Sequence, residues 1–305
     1  MKAVLSIVHD ESYISFLREG LNIRNSYNIY RTLQKFLQYI EDEIADGNDV
    51  SAYEIDDHFT SGVALGIGCF NLMLSLLPPN VLKVVEFIGF TSNREAGLKQ
   101  LESIGGWEPY HKDANLPLPD KQGPDEGLRR QFCDMALILY HVVIATSIPV
   151  ADGDISFAED ILNYNLEIYP DGVLFLYFSG KLNCSQGKLD SGIQQYQQAI
   201  ATQKEWKQLH HICYWELGLN YMIKCDWTNS HSCFSILQKE SNWSRAVYTY
   251  MTAVALYCSM DDVKEENEKQ QKMDEVIRLM KEVPKLTQKI AGRSLPVEVH
   301  VIPCN

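Results

Sequence analysis

The chain has 305 residues, 46% of them hydrophobic, with 40 Asp and Glu against 27 Lys and Arg, a formal net charge of −13. That length buries a sizeable core in one or two domains, and the acidic balance argues against a nucleic-acid partner, which needs clustered Lys and Arg. Eight cysteines form no CxxC pair, and Cys69, Cys133, Cys213 and Cys258 sit in apolar helical stretches, the pattern of reduced, buried cytosolic thiols. The opening MKAVLSIVHDESY has too short an uncharged run, and no cleavage site, for a signal peptide.

In chain order, Ser26 is placed to cap a helix whose apolar positions Tyr30, Leu33, Leu37, Ile40 and Ile44 recur three and four apart, ending at residues 45–49. A second long helix is expected from about Asp56 to Leu77, stopped by Pro78 and Pro79. A short helix through Val81, Leu82, Val85 and Glu86 stops at Gly89. Ser92 and Glu95 then have capping-box spacing for the helix carrying Leu98 and Leu101. Residues 105–127, with four prolines, read as a loop separating an N-terminal helical subdomain (1–104) from repeats (128–260). Residues 261–305 read as a charged helix with the apolar stripe Val276, Leu279, Met280 and Val283, then a tail whose only strand candidate is 297–302.

The repeats show as small and aromatic residues at matched places. Gly180, Gly192, Tyr196 and Ala199 reappear 38 residues later as Gly218, Ser230, Phe234 and Leu237, and a fainter set, Thr146, Ala158, Leu162 and Asn165, precedes them by 34. Thirty-four residues is the tetratricopeptide period, and four extra residues around Lys207–His210 account for the longer step. About three units are expected between Tyr140 and Ser259, in an all-α, TPR-like right-handed solenoid of antiparallel helix pairs. Their first helices present Leu174, Tyr177, Lys181 and Cys184, then Ile212, Trp215, Leu219 and Met222, then Ala246, Thr249, Ala253 and Leu256. Each set has three-and-four spacing and is expected to line one protein-binding face. With Lys181 its sole cation, that face does not suit acidic C-terminal tails.

Other constellations read as packing. His210, His211, Cys213, Cys225, His231 and Cys233 are the densest group of metal-ligand types, but pairs two apart on a helix diverge, so no zinc is expected. The carboxylates Asp152, Asp154, Glu159 and Asp160 flank a helix start and lack calcium-loop spacing. Gly66-Ile67-Gly68 follows no strand, so no nucleotide site is read there, and no nucleophile elbow marks a hydrolase. The expected protein is no enzyme and takes no cofactor. Two uncharged stretches, His58–Leu82 and Met135–Ala151, raise membrane insertion as the competing class, but both are interrupted by polar residues and neither has a flanking positive cluster. Buried core helices are the favoured reading. Gly62, Gly66 and Gly68 are then helix-packing glycines, each disfavoured in a helix interior by about 1 kcal/mol. Their partner is expected in the Ser26–Ile44 helix or the Met135–Ala151 helix.

The segments GVALGIGCFNLMLSLLPP (62–79), VLKVVEFIGF (81–90) and NREAGL (93–98) are more specific than any repeat pattern, as are HHICYWELG (210–218), KESNWS (239–244) and VPKLTQKIAGRSLP (283–296). Together they resemble the tetratricopeptide repeat protein 39 family, whose fungal relatives are outer-mitochondrial-membrane or inclusion-body-clearance proteins. The resemblance implies an all-helical repeat protein with no catalytic residue to transfer, acting on an unknown protein partner. It also implies roles ranging over protein turnover, lipid homeostasis, cilium assembly and clearance of misfolded protein. A cytoplasmic location is expected, with the mitochondrial outer membrane or the cilium as alternatives. The chain departs from the family in its early first helix, its proline-rich 105–127 segment and its ending VEVHVIPCN, where relatives continue into further helices. A shortened product with an uncapped apolar end, open to self-association, is the corresponding expectation.

Overall fold

The computed structural model describes residues 13–77, 93–120, 129–147 and 152–290, with a few positions beyond them, and among these it is all-helical apart from one two-residue hairpin. Contacts divide the chain into two units, residues 1–165 and 166–305.

In the first unit, helix α1 runs Tyr13–Ala45. Ser26 is therefore not its cap: it lies mid-helix, its Oγ donating to the Asn22 carbonyl one turn back at 3.0 Å. Gly47, at φ +81, lets the chain leave α1 in a left-handed turn. Helix α2, Asp57–Ser75, starts where the Asp56 carboxylate accepts from the Phe59 amide at 2.7 Å. The expected helix through Val81–Gly89, the Pro78-Pro79 stop and Ser92 fall almost wholly outside the described residues. Helix α3, Arg94–Gly105, is capped by Asn93, which accepts from the Ala96 amide at 3.0 Å.

The 105–127 segment opens as a helix, not a loop. Gly106 (φ +70) breaks α3, and α4 follows at once over Trp107–Lys112 with Trp107 fully buried. Pro109 is harmless there, being in the first turn, where the missing N–H has no helical acceptor. Helix α5, Arg129–Ile138, passes into a π-helical turn at Leu139–Ile144 and a last α-turn at Ala145–Ser147. Helix α6, Ile155–Ile168, completes this part.

A polar cluster holds the first unit's centre. Asp134, with no exposed surface, accepts from Trp107 Nε1 and from Asn165 Nδ2, both at 2.8 Å. Arg130 lies within 3.9 Å of the same carboxylate, donates to the Tyr164 hydroxyl at 2.9 Å and stacks over that ring. A buried carboxylate is tolerable only with such a complete set of donors.

The second unit is a run of neighbouring helix pairs: α7 Val173–Ser185 with α8 Leu189–Thr202, α9 Lys207–Ile223 with α10 Trp227–Glu240, and α11 Arg245–Cys258 with α12 Glu266–Leu286. Turns of three residues connect the first two pairs internally, which makes their partners antiparallel. The matched small and aromatic residues meet inside the pairs. A Cβ on Gly180 would lie 2.6 Å from the Tyr196 ring, and one on Gly218 would lie 2.7 Å from Phe234. Ser230 Oγ donates to the Gly218 carbonyl at 3.0 Å.

Helix α12 buries Val276, Leu279 and Val283 and turns a charged side outward. Glu298 and Val301 fold back onto the last pair: Val301 packs with Ala246, Val247 and Val283, and buried Glu298 accepts from Ser244 Oγ at 2.7 Å and the Gln288 amide. The strand expected at 297–302 does not form at its described positions; the hairpin lies earlier, pairing Lys289 with Ser294 and Ile290 with Arg293.

Candidate functional site

The sequence-derived face splits into covered and open parts. Ala246, Thr249 and Ala253 have no exposed surface, because α12 packs its Val276–Leu279 stripe on Ala253 and half-buried Leu256 while Val283 and Val301 cover Ala246. Leu219 and Met222 are half-buried against Phe234, Leu237 and Tyr248. Cys184 packs beside Tyr196 and Gly192, and Leu174 is half-buried. Lys181 is not a free cation: its ammonium meets both Glu216 oxygens, at 2.9 and 3.0 Å. The Tyr177 hydroxyl approaches the same carboxylate at 3.5 Å, and burial, then Glu216, pushes that phenol's pKa well above its ordinary value.

Tyr177, Ile212 and Trp215 do come together, as part of a groove of about 410 Å³. Its remaining walls are Gln208 and His211 from α9, Ser241, Trp243 and Ser244 from the α10–α11 connection, and Val247 and Tyr248 from α11. Apart from His211 the lining carries no ionisable acid or base of the Asp, Glu, Lys or Arg type. Trp243 is 80% exposed, Trp206 at the head of α9 is 65% exposed and Ile212 38%. Large apolar side chains left in water at a concavity are the usual mark of a binding surface. One rim is held by Glu240, which takes Lys207 at 3.5 Å and His211 at 3.6 Å; Lys207, then His211, holds its carboxyl below the usual range. Sequence reasoning missed Trp243, Ser241 and Ser244 because it looked for the surface on first helices alone. The signal available was Asn242-Trp243, a tryptophan in a polar connection.

A second groove, about 470 Å³, lies among α10, α11 and α12 and is lined mostly by polar and charged residues, with Leu256 and Leu279 among them. Its α12 charges pair along that helix, Glu268 with Lys272 at 3.2 Å and Glu275 with Arg278 at 2.6 Å, while Lys239 enters the lining from α10.

The histidines and cysteines of 210–233 scatter. His210 bonds the Gln203 carbonyl, His231 sits 3.4 Å from Ser235, and Cys225 is exposed in a left-handed turn at φ 59. Cys213 and Cys233 are in the repeat core, where burial pushes each thiol up to about 12 and keeps it protonated. Among the described residues no group of three or more His, Cys, Asp or Glu is placed to hold a metal ion.

The α2 glycines touch three different neighbours. A Cβ on Gly62 would lie 3.0 Å from the Arg129 guanidinium; one on Gly66 would overlap the Tyr30 ring of α1; one on Gly68 would lie 2.6 Å from Leu101 and 3.0 Å from the Gly97 carbonyl of α3. Helix α2 is also long and apolar enough to cross a membrane by length and composition, with one-third of that window buried in the structure.

A protein-family model described as Iml2/Tetratricopeptide repeat protein 39 matches residues 1–110 and 112–303. The chain is 29% identical over 300 residues to a Caenorhabditis elegans protein, "Tetratricopeptide repeat protein ttc-39B", the match covering 98% of this chain and 47% of that protein. The chain thus spans about half the length of the curated relative it matches. No solved structure matches.

Proposed function

The chain belongs to the Iml2/Tetratricopeptide repeat protein 39 family, and from that membership we propose that it works as a non-catalytic interaction module in the cytoplasm. The groove between α9 and α11 seats aliphatic or aromatic side chains of a protein partner. The observation that carries this reading is the uncharged, aromatic lining beside the 80%-exposed Trp243. Burying such surface supplies roughly 25 cal/mol per Å², and exposed Trp and Tyr are the residue types that dominate interface energetics. A carboxylate-clamp function is disfavoured, since Lys181 is already neutralised by Glu216.

Selection from a random peptide display library tests the reading. Binders should carry apolar anchors, and their capture should fall sharply with Trp243→Ala and with Ile212→Glu, while Ile277→Ala on α12 leaves it unchanged. Selection of acidic C-terminal tails, or indifference to Ile212→Glu, overturns it.

A second reading, membrane association, is favoured by one observation: α2 meets the length and hydropathy of a spanning helix with two-thirds of that window not buried. Pelleting of the expressed protein with membranes after alkaline carbonate extraction would support it over the soluble module.

A further inference from the structure

Charge is divided unevenly between the two units. Residues 1–165 hold 24 Asp and Glu against 12 Lys and Arg, whereas residues 166–305 hold 16 against 15. Within the first unit the excess gathers at one corner. Eight carboxylates lie from Glu41 to Asp57, and no Lys or Arg occurs between Lys35 and Lys83. They occupy the last turn of α1, the connection after it and the head of α2, and all but half-buried Glu43 are exposed. Placing Asp42 and Glu43 in the last turn of α1, with no basic residue there, sets negative charge on the negative pole of a helix. That arrangement opposes folding, as sequences tolerate where a surface is kept for binding.

The same corner is aromatic. Tyr39 and Tyr53 are each about half exposed, and the neighbouring Tyr53, then Glu43, raises the Tyr39 phenol above its ordinary pKa. Phe36 meets Tyr53 edge-on at 5.7 Å and Phe59 at 6.4 Å. Ile44, 57% exposed, adds an aliphatic side chain. Aromatic faces attract cations through their quadrupole, and carboxylates beside them add direct charge. Among the described residues the cation–ring contacts are Arg31 on Tyr27 and Arg130 on Tyr164, both away from this corner.

We propose that the α1–α2 corner docks a lysine- and arginine-rich segment of a partner protein. Cationic heads meet Glu41, Asp46 and Glu54, and their aliphatic stems lie on Tyr39, Tyr53 and Ile44. Apolar side chains in the same segment share that platform, so the surface selects charge and hydrophobicity together. This surface is independent of the α9–α11 groove, and Ile212→Glu leaves it intact.

The test uses the whole chain and a fluorescent peptide of alternating arginine and leucine, titrated at physiological salt, beside a peptide with glutamate in place of arginine. The arginine peptide should bind, with affinity falling as salt rises. The triple variant Glu41→Gln, Asp46→Asn, Glu54→Gln should weaken it by roughly tenfold, and Tyr53→Ala should weaken it too. A charge-matched control, Asp261→Asn, Glu266→Gln, Glu268→Gln, should stay near wild type. All substituted carboxylates are exposed, so an unchanged circular dichroism spectrum is expected and separates lost binding from lost fold. Equal weakening by the control would mean the bulk field alone attracts the peptide and would overturn the proposal. So would absence of wild-type binding, equal binding of the glutamate peptide, or calorimetric calcium binding that the triple variant abolishes.

Discussion

The two units bring helices close together by different chemistry. After Leu166 one device is used twice: a glycine on the first helix faces an aromatic ring on the second, Gly180 with Tyr196 and Gly218 with Phe234. A small residue then packs back on that glycine's carbonyl, Gly192 in one repeat and Ser230 in the next. Before Leu166 the three α2 glycines meet an arginine, a tyrosine and another helix's backbone, and the centre is an ionic cluster around Asp134. Repetition lets each contact rest on its neighbour's solution, whereas the first unit depends on single contacts that nothing duplicates.

The largest expected effect breaks that unduplicated centre. Asp134→Ala removes the carboxylate from beside the Arg130 charge and strands Trp107 Nε1 in the interior, while Asn165 keeps only its bond to the Ile161 carbonyl, and should cost about 3–5 kcal/mol. Trp107 is the sole tryptophan before Leu166, so its fluorescence during urea unfolding reports this unit once Trp206, Trp215, Trp227 and Trp243 are replaced by phenylalanine in the background.

Acid should separate the two units next. Burial, then the nearby His111, lowers the His141 pKa to about 4. The folded unit therefore holds this ring neutral while the unfolded chain takes a proton below about 6.5. Stability from this group is complete above that pH and is lost as pH falls from about 6.5 to about 4, on the order of 3 kcal/mol in all. His141→Gln should flatten that slope in urea midpoints measured across the range; an unchanged slope would show that another group carries it.

Alanine at the glycines compares the two packing devices directly. Gly218→Ala meets Phe234, which is fully buried and cannot retreat, and should cost roughly 1–3 kcal/mol despite better helix propensity. Gly66→Ala meets half-buried Tyr30, which can swing toward solvent, and should cost less than about 1 kcal/mol, while Gly66→Leu overpacks by roughly 1–3 kcal/mol. Thermal midpoints that rank these two alanine variants in the opposite order would refute the distinction.

The smallest effect is inside the repeats. The Tyr196 hydroxyl is buried beside the Cys184 thiol with no oxygen or nitrogen partner among the described residues, and the matched place holds Phe234. Tyr196→Phe should be neutral or stabilising by up to about 1 kcal/mol, read from the unfolding midpoint.

The repeats were legible because period and residue size recur: Gly180, Tyr196, Gly218 and Phe234 announce their contacts in one dimension. The head of α1 was not, since Gly20 and the polar residues Asn22, Arg24 and Asn25 interrupt its apolar spacing, and Ser26, a good capping residue, sits where an internal back-bond uses it. Helix α4 hid behind Gly105, Gly106 and Pro109, which signal a loop unless proline falls in a first turn. The π-helical turn at Leu139–Ile144 has no residue signature at all. The candidate surface was half legible. Spacing finds Tyr177, Ile212 and Trp215, but Ala246, Thr249 and Ala253 share that spacing and are buried because a further helix covers them, a fact of packing and not of period.

The four residues that lengthen one repeat step from 34 to 38 are Lys207–His210, the first turn of α9, which gives that helix 17 residues where α7 has 13. Four residues advance a helix by about 6 Å and about 400°, one turn plus a small rotation, so everything downstream keeps its phase toward α10. The added turn brings Gln208 to the groove and Lys207 to Glu240 without disturbing Gly218 or Phe234. A whole-turn insertion at this junction therefore deepens or shortens the groove while the stack beneath it keeps its phase.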